Sequence, residues 1–409
     1  MIKIEWFSEE MQNEYTETIA KKIREKLKKE ILKFPDDIAE LFREKGSVSE
    51  QKIKEFLKMK FYNVENNKAL NHYISRCTLI SHCLTDINKS DFNKWKKTNS
   101  SKVISDYLDE RFKKYNEKYP ENYPLTYPTD ASEENWSENF KNKIIDTVLL
   151  EPFKTVFNYD IINDKFRHKL MNSLNVPVCP YCNRQYITPW DDMEGNKKST
   201  ADLDHFFPQS EYPLFALNLF NFVPSCQVCN SRMKLSRFLD KNGNRPIYPY
   251  DENFGDDAVF KASTTYGGED PKRLLEVWLS ESIDDLKITL KIQDNIDEQY
   301  KDKIEQSNNL YHIEKVYQAH KNYVSELMLK KRIYDDGEYF KTIQNIFSGF
   351  EHEKLNQFSE DEDIVYNVNG KKLTITKKQL ELFLYGYNWE NGQDSTRPLS
   401  KLTYDILKR

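Results

Sequence analysis

The chain has 409 residues, a length at which two or three domains are usual. Charged residues make up 31% of it, while glycine and proline number only 11 and 15, a composition that favours a mainly helical protein. The formal net charge is −5, so the chain lacks the overall basic balance that would by itself indicate a nucleic-acid partner.

No run in the sequence is apolar and long enough to span a membrane. The first residues, MIKIEWFSEEMQNEY, lack the basic start, apolar stretch and cleavage site of a secretory signal. We therefore expect a cytoplasmic protein with no membrane partner. Because thiols stay reduced in the cytoplasm, the six cysteines are expected to bind metal or to be buried rather than to form disulfides.

Residues 1–164 are predicted to form a helical N-terminal domain. Apolar residues four apart mark one face of a first helix; they are Tyr15, Ile19, Ile23, Leu27 and Ile31. The Phe34-Pro35 pair is predicted to end this helix. A second helical period runs over 103–115. Prolines between 120 and 128 predict an ordered connection, and a period over 136–148 predicts a further helix.

Residues 165–250 have a different character and are predicted to be a separate domain. The segment holds eleven basic and seven acidic residues, a local net charge of +4 that would attract a polyanion. It also holds two C-x-x-C pairs, Cys179 with Cys182 and Cys226 with Cys229, separated by 43 residues. Two such turns complete a tetrahedral zinc site, and because no ligand position stays open, the zinc would be structural. The alternatives are unliganded buried cysteines and, less favoured with two pairs in one segment, a thioredoxin-like redox pair.

Polar side chains that could take part in catalysis or metal binding lie between and just after the cysteine pairs. In chain order they are Asp204 and His205, then Asn221, then Asn230 and Lys234. The run ADLDHFFP at 201–208 alternates like a short strand, and 219–224 is a second extended piece. Ser225 is predicted to cap a following helix. Asn230 and Lys234, four residues apart on that helix, would share one face.

Residues 251–409 are predicted to form a mainly helical C-terminal domain. The alternating run KITLK at 287–291 predicts a short strand. Helical periods return over 310–333 and 380–387, and the end of the chain, 398–406, is predicted to be helical with loops.

The order of residues in the middle segment resembles the HNH endonuclease family. Its ββα-metal unit often carries C-x-x-C pairs around a D-H…N…C-x-x-C-[HN]-x-x-K core. The match covers roughly Val178 to Leu239, a minority of the chain. This sequence has asparagine rather than histidine at position 230 and one extra residue before Lys234.

The resemblance implies a role for each matching residue. Asp204 and Asn230 would be the protein ligands of a catalytic ion, and His205 would be the general base. Asn221 would pin the loop between the strands and help to orient the histidine. Oxygen ligands favour Mg²⁺ or Mn²⁺ over zinc, so the catalytic ion and the structural zinc would occupy two separate sites.

We therefore expect an α+β protein, predominantly helical, in which helical regions flank a zinc-stapled ββα-metal unit. The resemblance implies a metal-dependent endonuclease that hydrolyses phosphodiester bonds of DNA, by nicking or by double-strand cleavage. A catalytically inactive zinc-stabilised module that binds nucleic acid or protein is the alternative, and RNA is a second possible substrate. Sequence preference, trigger and oligomeric state stay open.

An HNH unit with large helical flanks is similar to effectors of bacterial anti-phage systems, which are often encoded beside an ATPase, as in the Septu type. That similarity implies defence against phage or other foreign DNA. The sequence contains no G-x-x-x-x-G-K-[ST] loop. Any nucleotide-driven control would therefore come from a partner ATPase or another subunit of the system.

Overall fold

The fold is described from a computed structural model. The described residues are 1–86, 89–118, 151–195, 197–240, 243–264, 283–335, 364–368, 371–375, 385 and 397–408. Within these ranges the protein is α-rich with small two-stranded sheets, so the predicted α+β class with a predominance of helix is confirmed. None of the described helices is long and apolar enough to cross a membrane.

The described helices are α1 (Glu9–Glu30), α2 (Asp36–Glu40), α3 (Glu50–Leu57), α4 (Phe61–Asn66), α5 (Lys68–Asp86), α6 (Lys89–Thr98), α7 (Ile104–Lys118), α8 (Glu151–Val156), α9 (Asp164–Ser173), α10 (Glu298–Tyr311), α11 (Ile313–Tyr317), α12 (Lys321–Asp335) and α13 (Ser400–Lys408). The described strands are β1 (Arg43–Glu44), β2 (Ser47–Val48), β3 (Pro189–Asp191), β4 (Lys197–Ser199), β5 (Ala201–His205), β6 (Phe222–Cys226), β7 (Ala258–Thr264), β8 (Leu286–Ile292), β9 (Ile364–Val368) and β10 (Lys371–Ile375). Each strand pairs antiparallel with its neighbour in number, so that β1 pairs with β2, β3 with β4, and so on.

Helix α1 confirms the first predicted helix. The Ser8 hydroxyl accepts a hydrogen bond from the Met11 amide and caps its start. The side chains of the predicted apolar face from Tyr15 to Leu27 are fully buried. The helix ends at Glu30, and a 3-10 turn, Ile31–Lys33, leads to Pro35. The predicted stop is therefore confirmed.

The other periodic segments have mixed outcomes. The period over 103–115 is α7, the strand predicted at 287–291 is β8, and the periods over 310–333 and 398–406 correspond to α10–α12 and α13. The predicted connection at 120–128 and the helical period over 136–148 lie outside the described residues, and so does the period over 380–387 apart from residue 385.

The described chain divides into two compact units. One consists of Glu5–Asn175 and Pro189–Arg245, and the other of Met1–Ile4, Val176–Thr188 and Pro246–Arg409. The domain boundaries predicted after residues 164 and 250 stay predictions.

In the first of these units, helices hold the loop that joins β5 to β6. The Phe56 ring at the end of α3 stacks on Phe215 in that loop, with ring centroids 6.2 Å apart. The buried Asn218 amide donates hydrogen bonds to the carbonyls of Phe56 and Met59, at 2.8 and 3.0 Å. The Tyr15 hydroxyl on α1 donates to the Leu217 carbonyl at 2.8 Å. Buried polar groups that are paired in this way fix a backbone firmly, because leaving them unpaired costs about 1–3 kcal/mol each.

In the second unit, the turn after the first cysteine pair is held by the C-terminal residues. Asn183 adopts a left-handed conformation, with φ of 50°, and is fully buried. Its carbonyl accepts from the Leu399 amide at 2.6 Å, and its side-chain oxygen accepts from the Lys401 amide and the Ser400 hydroxyl. The Tyr317 hydroxyl donates to the Cys182 carbonyl at 2.7 Å. The turn therefore has a defined shape that does not depend on a metal ion alone.

Candidate active site and metal centre

The four cysteines predicted to bind zinc lie together. The Sγ atoms of Cys179, Cys182, Cys226 and Cys229 all lie within 4.8 Å of one another, and all four residues are buried. A tetrahedral zinc ion with Zn–S bonds of about 2.3 Å places its sulfurs about 3.8 Å apart, so the cluster could hold a zinc ion after small movements. Four thiolates fill a tetrahedron, and such a site would be structural rather than catalytic. The predicted convergence of the four cysteines is confirmed, and the cluster fits a zinc-stapled unit.

The predicted strand with Asp204 and His205 is β5, which pairs with β6. Asp204 lies opposite Val223, and His205 opposite Phe222. Asn221 forms the end of a 3-10 turn, Leu219–Asn221, directly before β6. The extended pieces predicted at 201–208 and 219–224 are therefore confirmed only for 201–205 and 222–224, and Asn221 lies before the second strand rather than within it. The two strands pair, and a loop of sixteen residues, 206–221, joins them.

The prediction that Ser225 caps the following helix is wrong. Ser225 lies within β6 opposite Asp202, and Cys226 lies opposite Ala201, so strand pairing keeps the chain extended through Cys226. The helix begins only afterwards, with Gln227 at its N-cap, and its first turn has no side-chain cap.

This helix, Val228–Lys234, is a π-helix. The Leu235 amide donates to the Asn230 carbonyl at 2.9 Å, an i to i+5 bond that encloses one residue more than an α-helical turn. The extra residue noted before Lys234 is accommodated by this wider turn. Asn230 and Lys234 consequently face the same strand although they are separated by four positions rather than three.

Asn230 and Lys234 of the π-helix contact two carboxylates of β5. Lys234 Nζ donates to Asp204 Oδ1 at 2.8 Å and also to the His205 carbonyl. The pair is buried, because only 1% of the Lys234 side chain and 3% of the Asp204 side chain are exposed. Asn230 Nδ2 donates to Asp202 Oδ2 at 3.1 Å. Because alternate residues of a strand share a face, Asp202 and Asp204 lie side by side. Asp204 and Asn230 thus belong to one strand–helix contact, and their joint binding of an ion stays a prediction.

The His205 ring is held on three sides. Its Nε2 lies 3.1 Å from the Ala216 carbonyl, and Tyr159 and Phe222 meet the ring edge-on with centroids at 4.7 and 5.2 Å. A carbonyl only accepts hydrogen bonds, so Nε2 carries the hydrogen of the neutral ring and Nδ1 keeps its lone pair. Burial lowers the pKa of His205 to about 4, against an opposing effect of the Asp204 carboxylate. The ring is therefore neutral at neutral pH.

Asn221 holds the loop that carries the carbonyl partner of His205. Its Oδ1 accepts from the Phe207 amide at 2.7 Å, and its Nδ2 donates to the carbonyls of Phe207 and Phe215 at 3.1 and 3.0 Å. The Asn221 side chain is buried, and all three contacts are to backbone. Because Ala216 directly follows Phe215, the same contacts place the carbonyl that orients His205.

Sequence reasoning did not single out three residues beside this site. They are Asp202 on β5, Tyr159, and Arg167 on α9. The Arg167 guanidinium lies 4.2 Å over the Tyr159 ring, donates to Asp164 at 3.0 Å, and is close enough to lower the pKa of His205. The position of Asp202, two residues before Asp204 on a strand, was a usable signal. Nothing in the spacing of Tyr159 and Arg167 connects them to His205, because they come from a distant stretch of the chain.

Comparison with known proteins adds one partial likeness. The chain is 31% identical over 88 residues to Protein ea31 of Escherichia phage lambda. The matched region covers 22% of this chain and only 25% of the length of that phage protein. No protein-family model matches the chain, and no solved structure matches it.

Replacing one thiol of the cysteine cluster should release the zinc. We expect Cys226→Ser to reduce zinc from about one equivalent to less than half, because a hydroxyl is a poor substitute for a thiolate ligand. Thermal unfolding should begin at a lower temperature, since the binding free energy of a structural zinc contributes to folding. Elemental analysis and a thermal melt on the same sample measure both effects.

The matched control for this test is Cys77→Ser. Cys77 is also buried, but it lies outside the cluster, and burial raises the pKa of its thiol to about 12. This variant should keep its zinc. Full zinc content in Cys226→Ser, or less than half an equivalent in the wild type, would contradict the assignment of the cluster.

The buried ion pair gives a second test. Lys234→Met should lower the free energy of unfolding by about 3–5 kcal/mol, because it leaves the Asp204 carboxylate buried without its charged partner. The control is Lys52→Met, which breaks a pair with Glu55 at 3.1 Å whose side chains are 43% and 45% exposed. Exposed pairs of this kind contribute at most about 1 kcal/mol. Equal urea midpoints for the two variants would show that the Lys234 contact contributes no more to the free energy of unfolding than an exposed ion pair does.

Proposed function

We propose that the protein is a metal-dependent nuclease of the HNH type that hydrolyses phosphodiester bonds of DNA. The observation that carries the proposal is the arrangement around β5. A histidine with a fixed tautomer follows directly after a buried aspartate, and an asparagine from the next helix contacts the same strand face. This arrangement supports the roles that the sequence resemblance implies for Asp204, His205 and Asn230.

In this proposal His205 is the general base. Its Nδ1 lone pair accepts a proton from a water molecule, while the Nε2–H group continues to donate its hydrogen bond to the Ala216 carbonyl. The resulting hydroxide oxygen bonds to phosphorus, the bond from phosphorus to the 3′ oxygen breaks, and the 3′ oxygen takes up a proton from a solvent water molecule. The proton on His205 is then available for transfer to solvent, and the ring returns to its neutral form.

The residues present fit a hard divalent ion. Asp204 supplies a carboxylate and Asn230 an amide oxygen, the ligand types that Mg²⁺ and Mn²⁺ prefer. When bound there, such an ion would neutralise charge on the phosphate and stabilise the leaving 3′ oxygen. Lys234 keeps the Asp204 carboxylate in place from the helix side.

Positive charge beside His205 supports a phosphodiester substrate. The Arg167 guanidinium stacks on Tyr159, and the Tyr159 ring in turn contacts His205. Guanidinium groups bind phosphate oxygens well because they present several donors in one plane. The local charge of +4 over residues 165–250 acts in the same direction.

One observation favours the alternative, a zinc-stabilised module without catalytic activity. The Asp204 carboxylate already has a buried ammonium at 2.8 Å, so its charge is compensated without a metal ion. A scaffold that had lost its ion would retain this pair. Activity measurements, rather than stability, separate the two functions.

The biological role is proposed because an HNH unit with large helical flanks is similar to effectors of bacterial anti-phage systems. The nuclease would act in the cytoplasm against phage or other foreign DNA, as an effector beside a partner ATPase or another subunit of a defence system. The partial likeness to a phage protein fits a protein encoded by a phage as well as one that acts against phage, and it assigns no activity.

The decisive variant is His205→Ala, tested in a plasmid-nicking assay with Mg²⁺ or Mn²⁺. Cleavage should fall by about 10²–10⁴-fold, since that is the usual contribution of a general base. Zinc content and DNA binding should stay close to those of the wild type, because the His205 ring packs against Ala216, Tyr159 and Phe222. His72→Ala is the control, because His72 is a half-buried histidine on α5 that lies 4.0 Å from Asp37.

Two outcomes would count against this mechanism. A His205→Ala protein that nicks DNA as fast as the wild type would exclude His205 as the base. If the wild type itself does not cleave DNA, the assay has to be repeated with a candidate partner ATPase. An effector that needs its partner for activation would also be inactive alone. Continued inactivity with that partner would favour the scaffold.

A further inference from the structure

We propose that Asp202 is a positioning residue that holds the Asn230 side chain with its amide oxygen directed to the catalytic ion. The inference rests on the proposed function, because it concerns the same ion site. Asp202 lies outside the D-H…N…C-x-x-C-[HN]-x-x-K core of the HNH pattern.

The geometry of Asp202 is well defined. It lies on β5 two residues before Asp204, and therefore on the same face of the strand. Its Oδ2 accepts from Asn230 Nδ2 at 3.1 Å and from the Ser231 hydroxyl at 3.2 Å. Both donors come from the π-helix, so the Asp202 carboxylate contacts the helix one turn before Lys234 reaches Asp204.

The chemistry of these contacts selects one orientation of the Asn230 amide. An ionised carboxylate only accepts hydrogen bonds, whereas an asparagine amide has a donating end and an accepting end of nearly equal size. Rotation of the amide by 180° would place its oxygen against Asp202 Oδ2, and two acceptors would then repel each other. Asp202 therefore fixes the NH₂ end toward itself and the oxygen away from itself.

The orientation of the Asn230 amide determines whether the residue can bind a cation. The amide oxygen of Asn230 binds Mg²⁺ or Mn²⁺, but its NH₂ group cannot bind a cation. Without Asp202 the amide could turn either way, and part of the population would present the wrong end to the ion. Outer-shell partners of this kind typically change metal affinity by about 10–100-fold.

The test is Mn²⁺ binding to the zinc-loaded protein, measured by electron paramagnetic resonance of free Mn²⁺ without DNA. In Asp202→Asn the new amide can accept from the NH₂ end of Asn230 or donate to its oxygen end, so a hydrogen bond remains but the preference for one orientation is lost. We expect the affinity for Mn²⁺ to fall by about 10–100-fold. Zinc content and the unfolding midpoint should not change, because the hydrogen bond itself is kept.

Ser231→Ala is the matched control. It removes the second donor to Asp202 and the 3.5 Å contact of Asn230 Nδ2 with Ser231 Oγ, but leaves the hydrogen bond from Asn230 to Asp202 intact. Its Mn²⁺ affinity should stay within about threefold of the wild type, since the Asn230 amide keeps its orientation.

Loss of the Asp202 charge could also weaken Mn²⁺ binding directly, and a double-mutant cycle separates this effect. If Asp202 acts through Asn230, then Asp202→Asn should have little further effect in an Asn230→Ala protein. An equal fall in both backgrounds would show a direct charge effect and overturn the inference. So would wild-type affinity in the Asp202→Asn protein.

Failure of the proposed function gives a different result. If the wild type binds no Mn²⁺ near this site, the catalytic ion and the role of Asp202 are both wrong. If the wild type binds Mn²⁺ and cleaves DNA while Asp202→Asn binds equally tightly, only the role of Asp202 is wrong.

Discussion

Two carboxylates lie next to each other on one face of a five-residue strand, and the local structure depends on how their negative charge is compensated. Asp202 and Asp204 lie on the same side of β5, and Asp204 is buried. The compensation comes from one short helix, which supplies an ammonium to Asp204 and two neutral donors to Asp202. The wider π turn allows a chain with one additional residue to deliver these groups to the same face.

The rest of the first unit keeps this small assembly in shape. A pair of five-residue strands has little stability alone, and the sixteen-residue loop between β5 and β6 would be mobile if nothing held it. Asn221 binds the loop from inside, while Tyr15 and Asn218 attach it to helices α1 and α3. The same loop provides the Ala216 carbonyl that sets the tautomer of His205. The orientation of the proposed base is therefore decided by helices far away in the sequence.

Much of this could be predicted from the sequence, for identifiable reasons. Helix α1 and strand β8 have strong apolar periods, and the spacing of the two cysteine pairs indicated one cluster. Strand β7 was not predicted, because small and polar residues give it a weak alternation and it is a strand chiefly through its pairing with β8. The cap predicted at Ser225 failed because pairing with Asp202 outweighs the local preference of serine. The contacts of Asp202 and Arg167 depend on tertiary packing, which no local pattern contains.

The proposed function requires that Asp204 and Asn230 jointly hold a catalytic ion beside His205. Anomalous scattering from crystals of zinc-loaded His205→Ala protein with a short DNA duplex and Mn²⁺ would locate both metals. We expect zinc at the four cysteines and a Mn²⁺ peak within about 2.3 Å of oxygen atoms of both Asp204 and Asn230, adjacent to a phosphate. A Mn²⁺ peak elsewhere, or a duplex bound with Lys234 as the sole cation at Asp204, would contradict the proposed function.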